Sequence, residues 1–351
     1  MKDVLFLCPC DIEDPKRGTP IRIKAILDQL RGVSDLNIHV YEGNGKKTVQ
    51  KFQELRDRPE EIFFGNTHKD LWVLFLCKLF LRKKVVIDLH GAWEEELFAY
   101  GQISWLHKVF LRMAYRISLS FFDLISVVNG NVKTTFFSNM KDVVVTYPGV
   151  NPSDIPSAET IPLRQDTDPL RIGYIGNARA YQGADVTLRI ARRLRDERLP
   201  FKLVVISSEE DWMKSLIRRE YGEIDSCIET RYNLSHEDAL RETATCEVLL
   251  ILRPKNPVTD FSFPSKLAEY LATGRTTIVT KFADVASVIQ DGLDAYLISS
   301  DQREEETYRL LIEIIQKKRA MLDPSTVRSR CIERFSWSTV TRPLIQALCQ
   351  M

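Results

Sequence analysis

The chain has 351 residues, enough for two domains that each bury a core. Its 49 Lys and Arg balance 48 Asp and Glu to a net charge of +1, which argues against a general nucleic-acid binder. Seven cysteines without regular spacing point to a reducing compartment, not a disulfide framework. Cys8-Pro-Cys10 is the one close pair. It has no second pair to complete a zinc site and reads as buried free thiols. The apolar run at the start is too short for a signal peptide. The longest apolar segment, 71–81, is interrupted by Lys78 and falls short of the roughly 20 residues of a spanning helix. These features predict a soluble cytoplasmic protein.

Val4 to Leu7 reads as a buried strand. A polar loop from Asp11 to Pro20 contains Gly18 and Thr19. A helix follows, with Ile21, Ile23, Ile26, Leu27 and Leu30 as its apolar face and Arg22 one turn in. Asn37 to Tyr41 is the next strand. Strand, glycine-containing loop and helix form the usual opening of a doubly wound domain. No G-x-G-x-x-G fingerprint is present, so a dinucleotide cofactor has little support. On residues alone, this loop reads equally as a plain turn beside a surface arginine. Ile62 to Phe64 is a strand and 71–81 a mostly buried helix. The strand Val85 to Leu89 ends at His90-Gly91, where open parallel sheets collect their ligands.

Trp105 to Phe122 is an apolar helix carrying Lys108, Arg112 and Arg116 at four-residue spacing. It is either a packed helix with one solvated basic face, the reading favoured here, or an interfacial helix resting on anionic lipid. Phe121 to Val128 and Val143 to Thr146 are further strands of a first domain placed at 1–160. The stretch 151–169, rich in Pro, Ser, Asp and Thr, has the composition of a hinge. Asp166-Thr-Asp168 has the D-x-D form of metal-dependent transferases, but its place in this linker marks it as accidental.

A second domain is placed at 161–335. It opens with the strand Leu170 to Gly176, a loop bearing Arg179 and Gln182, and a helix over 184–194. Strands follow at 201–206 and 228–232, and Ser235 caps a helix that runs to Thr243. Val248 to Leu252 is a buried strand, broken by Arg253-Pro-Lys-Asn-Pro257. A helix then starts at Pro264, with Leu267, Tyr270 and Leu271 at helical spacing. Gly274 is its stop residue and an apolar strand follows. Helices over 304–318 and 325–335 close the domain. A loop ending at a helix N-terminus favours an anion. Lys266 lies in that first turn, where a cation is unfavourable unless an anion is close, and Glu269 lies three residues further on. The arrangement fits a diphosphate, with a carboxylate placed to accept from ribose hydroxyls.

The stretch Pro264-Ser-Lys-Leu-Ala-Glu269-Tyr-Leu-Ala-Thr-Gly274, then Ile278-Val279 and Val285 to Gly292, resembles the nucleotide-sugar motif of glycosyltransferase family 4, among the glycosyl transferases group 1. The resemblance implies the α/β GT-B fold: two Rossmann-like doubly wound domains facing a cleft, the first for acceptor and the second for nucleotide sugar. A C-terminal helix, 336–351, is expected to cross back to the first domain. The implied activity is retaining, metal-independent transfer of a sugar from a nucleotide-diphosphate sugar to a glycan or lipid-linked acceptor, with no cofactor. His90, Lys266 and Arg179 are then the catalytic candidates, and Gly18, Thr19, Arg253, Ser265, Leu267 and Glu269 the donor-binding ones. No metal ligand is expected. The implied partners are the nucleotide sugar and the acceptor; the basic stripe of Lys108, Arg112 and Arg116 adds a peripheral contact at the inner face of a membrane.

The chain departs from the family pattern twice. Of two glutamates eight positions apart, Glu269 matches the second, whereas the first falls on Phe261, with Asp260 one residue away. Gln182 takes the place of a lysine that faces diphosphate. A degenerate nucleotide-sugar-binding homologue or partner subunit, and a sugar-nucleotide epimerase on the same fold, therefore remain as alternatives.

Overall fold

A computed structural model describes residues 1–11, 18–140, 142–156 and 168–351. Asp166 and most of the expected hinge lie outside the described residues. The chain forms two compact units: Met1–Pro148 with Asp260–Phe263 and Trp337–Met351, and Gly149–Thr259 with Pro264–Ser336.

In the first unit the elements run β1 (Lys2–Cys8), α1 (Gly18–Arg31), β2 (Leu36–Glu42), α2 (Thr48–Leu55), β3 (Ile62–Asn66), α3 (Leu71–Leu81), β4 (Lys84–Leu89), α4 (Trp93–Ala99), α5 (Trp105–Leu119), β5 (Leu124–Val127), α6 (Gly130–Phe136) and β6 (Val143–Val145). The strands pair in parallel in the order β2-β1-β3-β4-β5-β6. Val4 sits opposite Ile38 on one side and Ile62 on the other. Both faces of such a sheet are covered, so its strands read as continuous apolar runs. Val4 to Leu7, Ile62 to Phe64 and Val85 to Ile87 are accordingly buried. The chain leaves β1 for β2 on one side and returns for β3 on the other. That reversal opens a crevice beyond the carboxyl ends of β1 and β3.

The second unit continues with β7 (Leu170–Ile175), α7 (Ala184–Asp196), β8 (Phe201–Ser207), α8 (Glu210–Glu220), β9 (Ile228–Tyr232), α9 (His236–Ala244), β10 (Val248–Ile251), α10 (Pro257–Asp260), α11 (Ser265–Ala272), β11 (Thr276–Thr280), α12 (Val285–Val288), β12 (Tyr296–Ile298), α13 (Arg303–Ile315) and α14 (Pro324–Phe335). Its parallel order is β12-β11-β10-β7-β8-β9, so the reversal falls between β7 and β10. The last helices, α15 (Trp337–Val340) and α16 (Arg342–Gln350), belong to the first unit. Helices α2, α4, α6 and α8 and strand β12 are not among the expected elements, and such short helices draw most of their stability from tertiary packing.

Helix α5 is turned opposite to expectation. Lys108 and Arg112 do not form a solvated face; they meet the buried acids of α4. Arg112 Nε lies 3.2 Å from Glu94, its Nη2 bonds Glu95, and Lys108 Nζ is 3.4 Å from Glu95. Two carboxylates taken out of water require cations beside them, and α5 rotates to supply them. Its apolar side chains are left facing solvent. In the same way α3 buries Leu71, Val73, Leu74 and Cys77 but exposes Leu79 and Phe80.

Two glycines in the second unit stand at close backbone contacts. Gly274 ends α11 at φ +77°, and a Cβ there would lie 2.7 Å from the Pro324 carbonyl oxygen. Gly183 precedes α7 at φ +81°, and a Cβ would overlap the Leu252 carbonyl at the end of β10. The close approach of these two backbones therefore needs glycine at 183. Gly101 has a similar φ, +67°, with nothing near the Cβ position. Gly101→Ala should cost about 1 kcal/mol of unfolding free energy, and Gly183→Ala more than about 2 kcal/mol. Urea titration of both variants checks this, and equal costs would show that the backbones separate freely.

Candidate functional site

In the first unit, polar groups gather where β1, β3 and β4 end. Asp88, fully buried in β4, is the centre. Arg22 binds it with two parallel bonds, Nε to Oδ2 and Nη2 to Oδ1, both 2.8 Å. Arg22 Nη2 also donates to the Thr146 carbonyl at 2.9 Å, and the Ser126 hydroxyl donates to Asp88 Oδ1 at 2.6 Å. His90 Nε2 lies 3.0 Å from Asp88 Oδ2 but is buried out of hydrogen-bond alignment. Burial alone would raise the Asp88 carboxyl. The Arg22 guanidinium and the His90 ring overcome it and hold the group well below the usual carboxylate range. Arg22 is thus not a surface arginine, although its Nη1 is buried without a hydrogen-bond partner. It compensates a carboxylate that sits inside an apolar strand.

Beyond this network lies a cavity of about 550 Å³, lined in part by Thr19, Thr67, His68, His90, Gly91 and Trp93. Two predicted residues, Thr19 and His90, are therefore brought together, and Gly18 is the first residue of α1 beside Thr19. Thr67 holds φ +81° at a buried position, and its N–H donates to the Asp88 carbonyl at 2.9 Å. Such strain at a cavity wall is characteristic of functional sites. The His68 ring stacks on Trp93 at 4.1 Å. Burial first, then Lys69 and His90, push its pKa down to about 4, so it is neutral at pH 7. Gly91, at φ +143°, leaves room for the Phe261 carbonyl. Phe261 itself packs edge-on against Phe136 at 4.7 Å, as part of the first unit's core. The Asp260 carbonyl accepts from Asn129 Nδ2 at 3.3 Å.

In the second unit, the loop after β7, the end of β10 and the start of α11 converge. Lys266 is half-buried, with Nζ 3.2 Å from where a Cβ on Gly176 would stand. The missing side chain makes room for the ammonium. Burial first, then Arg253, push the Lys266 pKa down to about 8, while Glu269 acts against them. No carboxylate of a described residue lies within ion-pair distance of Lys266. Arg253 is only 8% exposed, donates to Gln182 Oε1 at 2.9 Å and rests near the rings of Tyr181 and Phe282. Gln182 therefore orients a cation in place of carrying one.

Glu269 is one turn from Lys266, with Oε1 3.7 Å from His236 Nε2. Tyr270 ties α11 to the sheet, its hydroxyl accepting from the Ile175 N–H at 3.1 Å. Ser265 is exposed at the head of α11. The Leu267 side chain is fully buried and its N–H donates to the Pro264 carbonyl at 3.0 Å, so it serves the core and the helix turn. Arg179 is drawn to Glu209 at 3.8 Å and lies over Trp212.

Asp88, His68 and His236 went unnoticed in the sequence. Asp88 had a legible signal, a lone acid inside Val85-Val-Ile-Asp-Leu, because a carboxylate there must be buried and matched. His68 and His236 sit in polar stretches with no such mark. Among the described residues no group of three metal-ligating side chains assembles.

A half-buried ammonium and a buried guanidinium, beside a helix N-terminus at a sheet reversal point, make a candidate anion site. Residues 169–317 match the model of the family Glycosyl transferases group 1. The matched stretch lies within the second unit apart from Asp260–Phe263, and it supports a glycosyltransferase. In structure the chain is similar to sucrose-phosphate synthase from Thermosynechococcus elongatus, with TM-score 0.75 at 11% identity over 100% of this chain and 99% of that one. It is also similar to HepE from Anabaena in complex with UDP and glucose, with TM-score 0.74 at 15% identity over 100% of both chains. The lipopolysaccharide outer core galactosyltransferase WaaB gives 0.69 at 13% identity, over 100% of this chain and 99% of that one. With two doubly wound parallel sheets, the fold is GT-B. No curated protein matches the chain by sequence.

The two charge centres respond differently to mutation. Arg22→Ala strands the buried Asp88 and should destabilise the protein by about 3–5 kcal/mol, read by urea unfolding. Lys266 has a folded pKa below its unfolded value, so its charged form opposes folding below pH 8, and that cost fades as pH rises toward 10.5. Lys266→Met should therefore raise the melting temperature at pH 7 and lose the advantage by pH 10. Destabilisation at pH 7 would mean that the ammonium has a compensating partner.

Proposed function

We propose that the chain moves a sugar from a nucleoside-diphosphate sugar to a glycan or lipid-linked acceptor, with retention at the anomeric carbon and no metal. The observation that carries this reading is the pair Lys266 and Arg253, two cations drawn together with little water around them where β7, β10 and α11 meet, Lys266 being pushed down to about 8 by burial and by Arg253. In the transfer, the bond from C1 to the diphosphate oxygen breaks and a bond from C1 to the acceptor oxygen forms. The acceptor's proton passes to the departing diphosphate. Negative charge gathers on that diphosphate in the transition state. Lys266, Arg253 and the first N–H groups of α11 stabilise it, each to the extent of about 3 kcal/mol. Glu269 accepts from ribose hydroxyls. HepE, whose structures hold UDP and UDP-glucose, supports a nucleoside-diphosphate hexose as donor. The first unit's cavity, with Thr19 and His90 on its wall, takes the acceptor and the sugar hydroxyls.

A second reading, nucleotide-sugar binding without turnover, rests on Phe261. The carboxylate expected there is replaced by a ring packed into apolar surroundings. Incubation with a labelled nucleoside-diphosphate sugar, with and without acceptor, separates the two. Lys266→Ala should lower kcat about 100-fold. Glu269→Ala should weaken nucleoside-diphosphate binding by about 1–3 kcal/mol in calorimetry. His90→Ala should slow transfer while leaving that affinity unchanged. Tight donor binding with no turnover in wild type favours the second reading. Loss of transfer in a chelator, restored by manganese, would overturn metal independence.

A further inference from the structure

Helices α3 and α5 present an apolar surface to solvent. On α5 Trp105, Leu106, Phe110, Met113 and Ile117 are each more than half exposed, and Phe80 of α3 is 70% exposed. Positions 106, 110, 113 and 117 follow one another along one face of α5. The two helices form one surface: Phe75 packs on Phe121 at 5.7 Å and Trp72 on Tyr115 at 6.1 Å. A patch of this size on a folded protein marks an interaction site. It exists because α5 commits Lys108 and Arg112 to the acids of α4.

The charge around it selects the partner. From Leu71 to Lys84 and from Ile103 to Phe122 there is no acidic residue. Arg82, which ends α3, and Arg116, in the last turn of α5, are both exposed. No helix of the described residues is long and apolar enough to cross a membrane. We propose that this surface docks on an anionic lipid bilayer. The α5 ridge enters the boundary between headgroups and acyl chains, while Arg82 and Arg116 meet lipid phosphates. A two-fold contact with a second copy of the chain would instead place the same arginines on both sides of one interface, without acids to match them. The docking differs from the basic stripe of the sequence reading in its contacts: apolar side chains enter the lipid, and two arginines flank them.

The test uses the full chain with vesicles of phosphatidylcholine alone and with phosphatidylglycerol added. Wild type should cosediment with the anionic vesicles. Leu106→Glu/Phe110→Glu should lose about tenfold or more in partitioning. Arg82→Gln and Arg116→Gln should each lose about fivefold at low salt, a loss that vanishes at high salt. Brominated lipid should quench tryptophan fluorescence in wild type, and less in Trp105→Phe. All the substituted side chains are exposed, and thermal melting verifies the fold. If the double glutamate variant does not fold, the arginine and Trp105 variants carry the test. Unchanged vesicle binding by the double glutamate variant overturns the proposal. So does a wild-type dimer, in sedimentation velocity without lipid, that the same variant dissolves.

Discussion

The cost of taking charge out of water governs both sites of this chain. In a parallel sheet the strands are covered on both faces, so charged groups can stand only at strand ends or in matched pairs. The first unit matches its charge. Asp88 has a guanidinium clamped across it, a serine hydroxyl on one oxygen and a histidine ring beside the other. The second unit crowds two cations together. Lys266 is pushed toward neutrality by burial and by Arg253, and Glu269 only partly opposes them. A carboxylate clamped by a guanidinium holds a fold in one geometry, whereas two crowded cations favour a ligand of opposite charge. The contrast separates the network around His90 from the proposed binding site around Lys266.

The same cost explains the orientation of α5. Three cations at four-residue spacing define a helix face, but they do not say whether that face meets water. Glu94 and Glu95, buried on the short helix α4, decide it. Once Lys108 and Arg112 turn inward to them, the opposite face of a helix rich in Trp, Phe, Leu and Met must turn outward. An electrostatic requirement on one side thus creates the apolar surface on the other.

The legible part of the sequence is the part whose logic is local. The run from Pro264 to Gly274 carries its own start, apolar period, stop and anion-binding cation, and the structure builds α11 from those residues. The strands were legible because a two-sided burial leaves continuous apolar runs. The rest depends on distant partners. Arg22 and Asp88 are 66 positions apart, so no window of sequence shows that one neutralises the other. Leu267 lies in the right motif, yet helical geometry sends its side chain to the core. Phe261 stands where a carboxylate was sought, and only the packing against Phe136 accounts for an aromatic ring there.

Gln182 shows how a departure from a family pattern is absorbed. A lysine at this place would be a third cation close to two that are already poorly solvated, and each added like charge depresses the ionisation of the others. With Lys266 already at about 8, such a lysine would compete with it for the proton it needs near neutral pH. The neutral amide avoids that competition and accepts from Arg253, whose guanidinium stays charged at any ordinary pH. The proposed anion site therefore has one cation fixed in direction by Gln182, and one ammonium whose charge strengthens as a phosphate approaches. Replacing charge by orientation at 182 retains the attraction for diphosphate while limiting repulsion within the empty site.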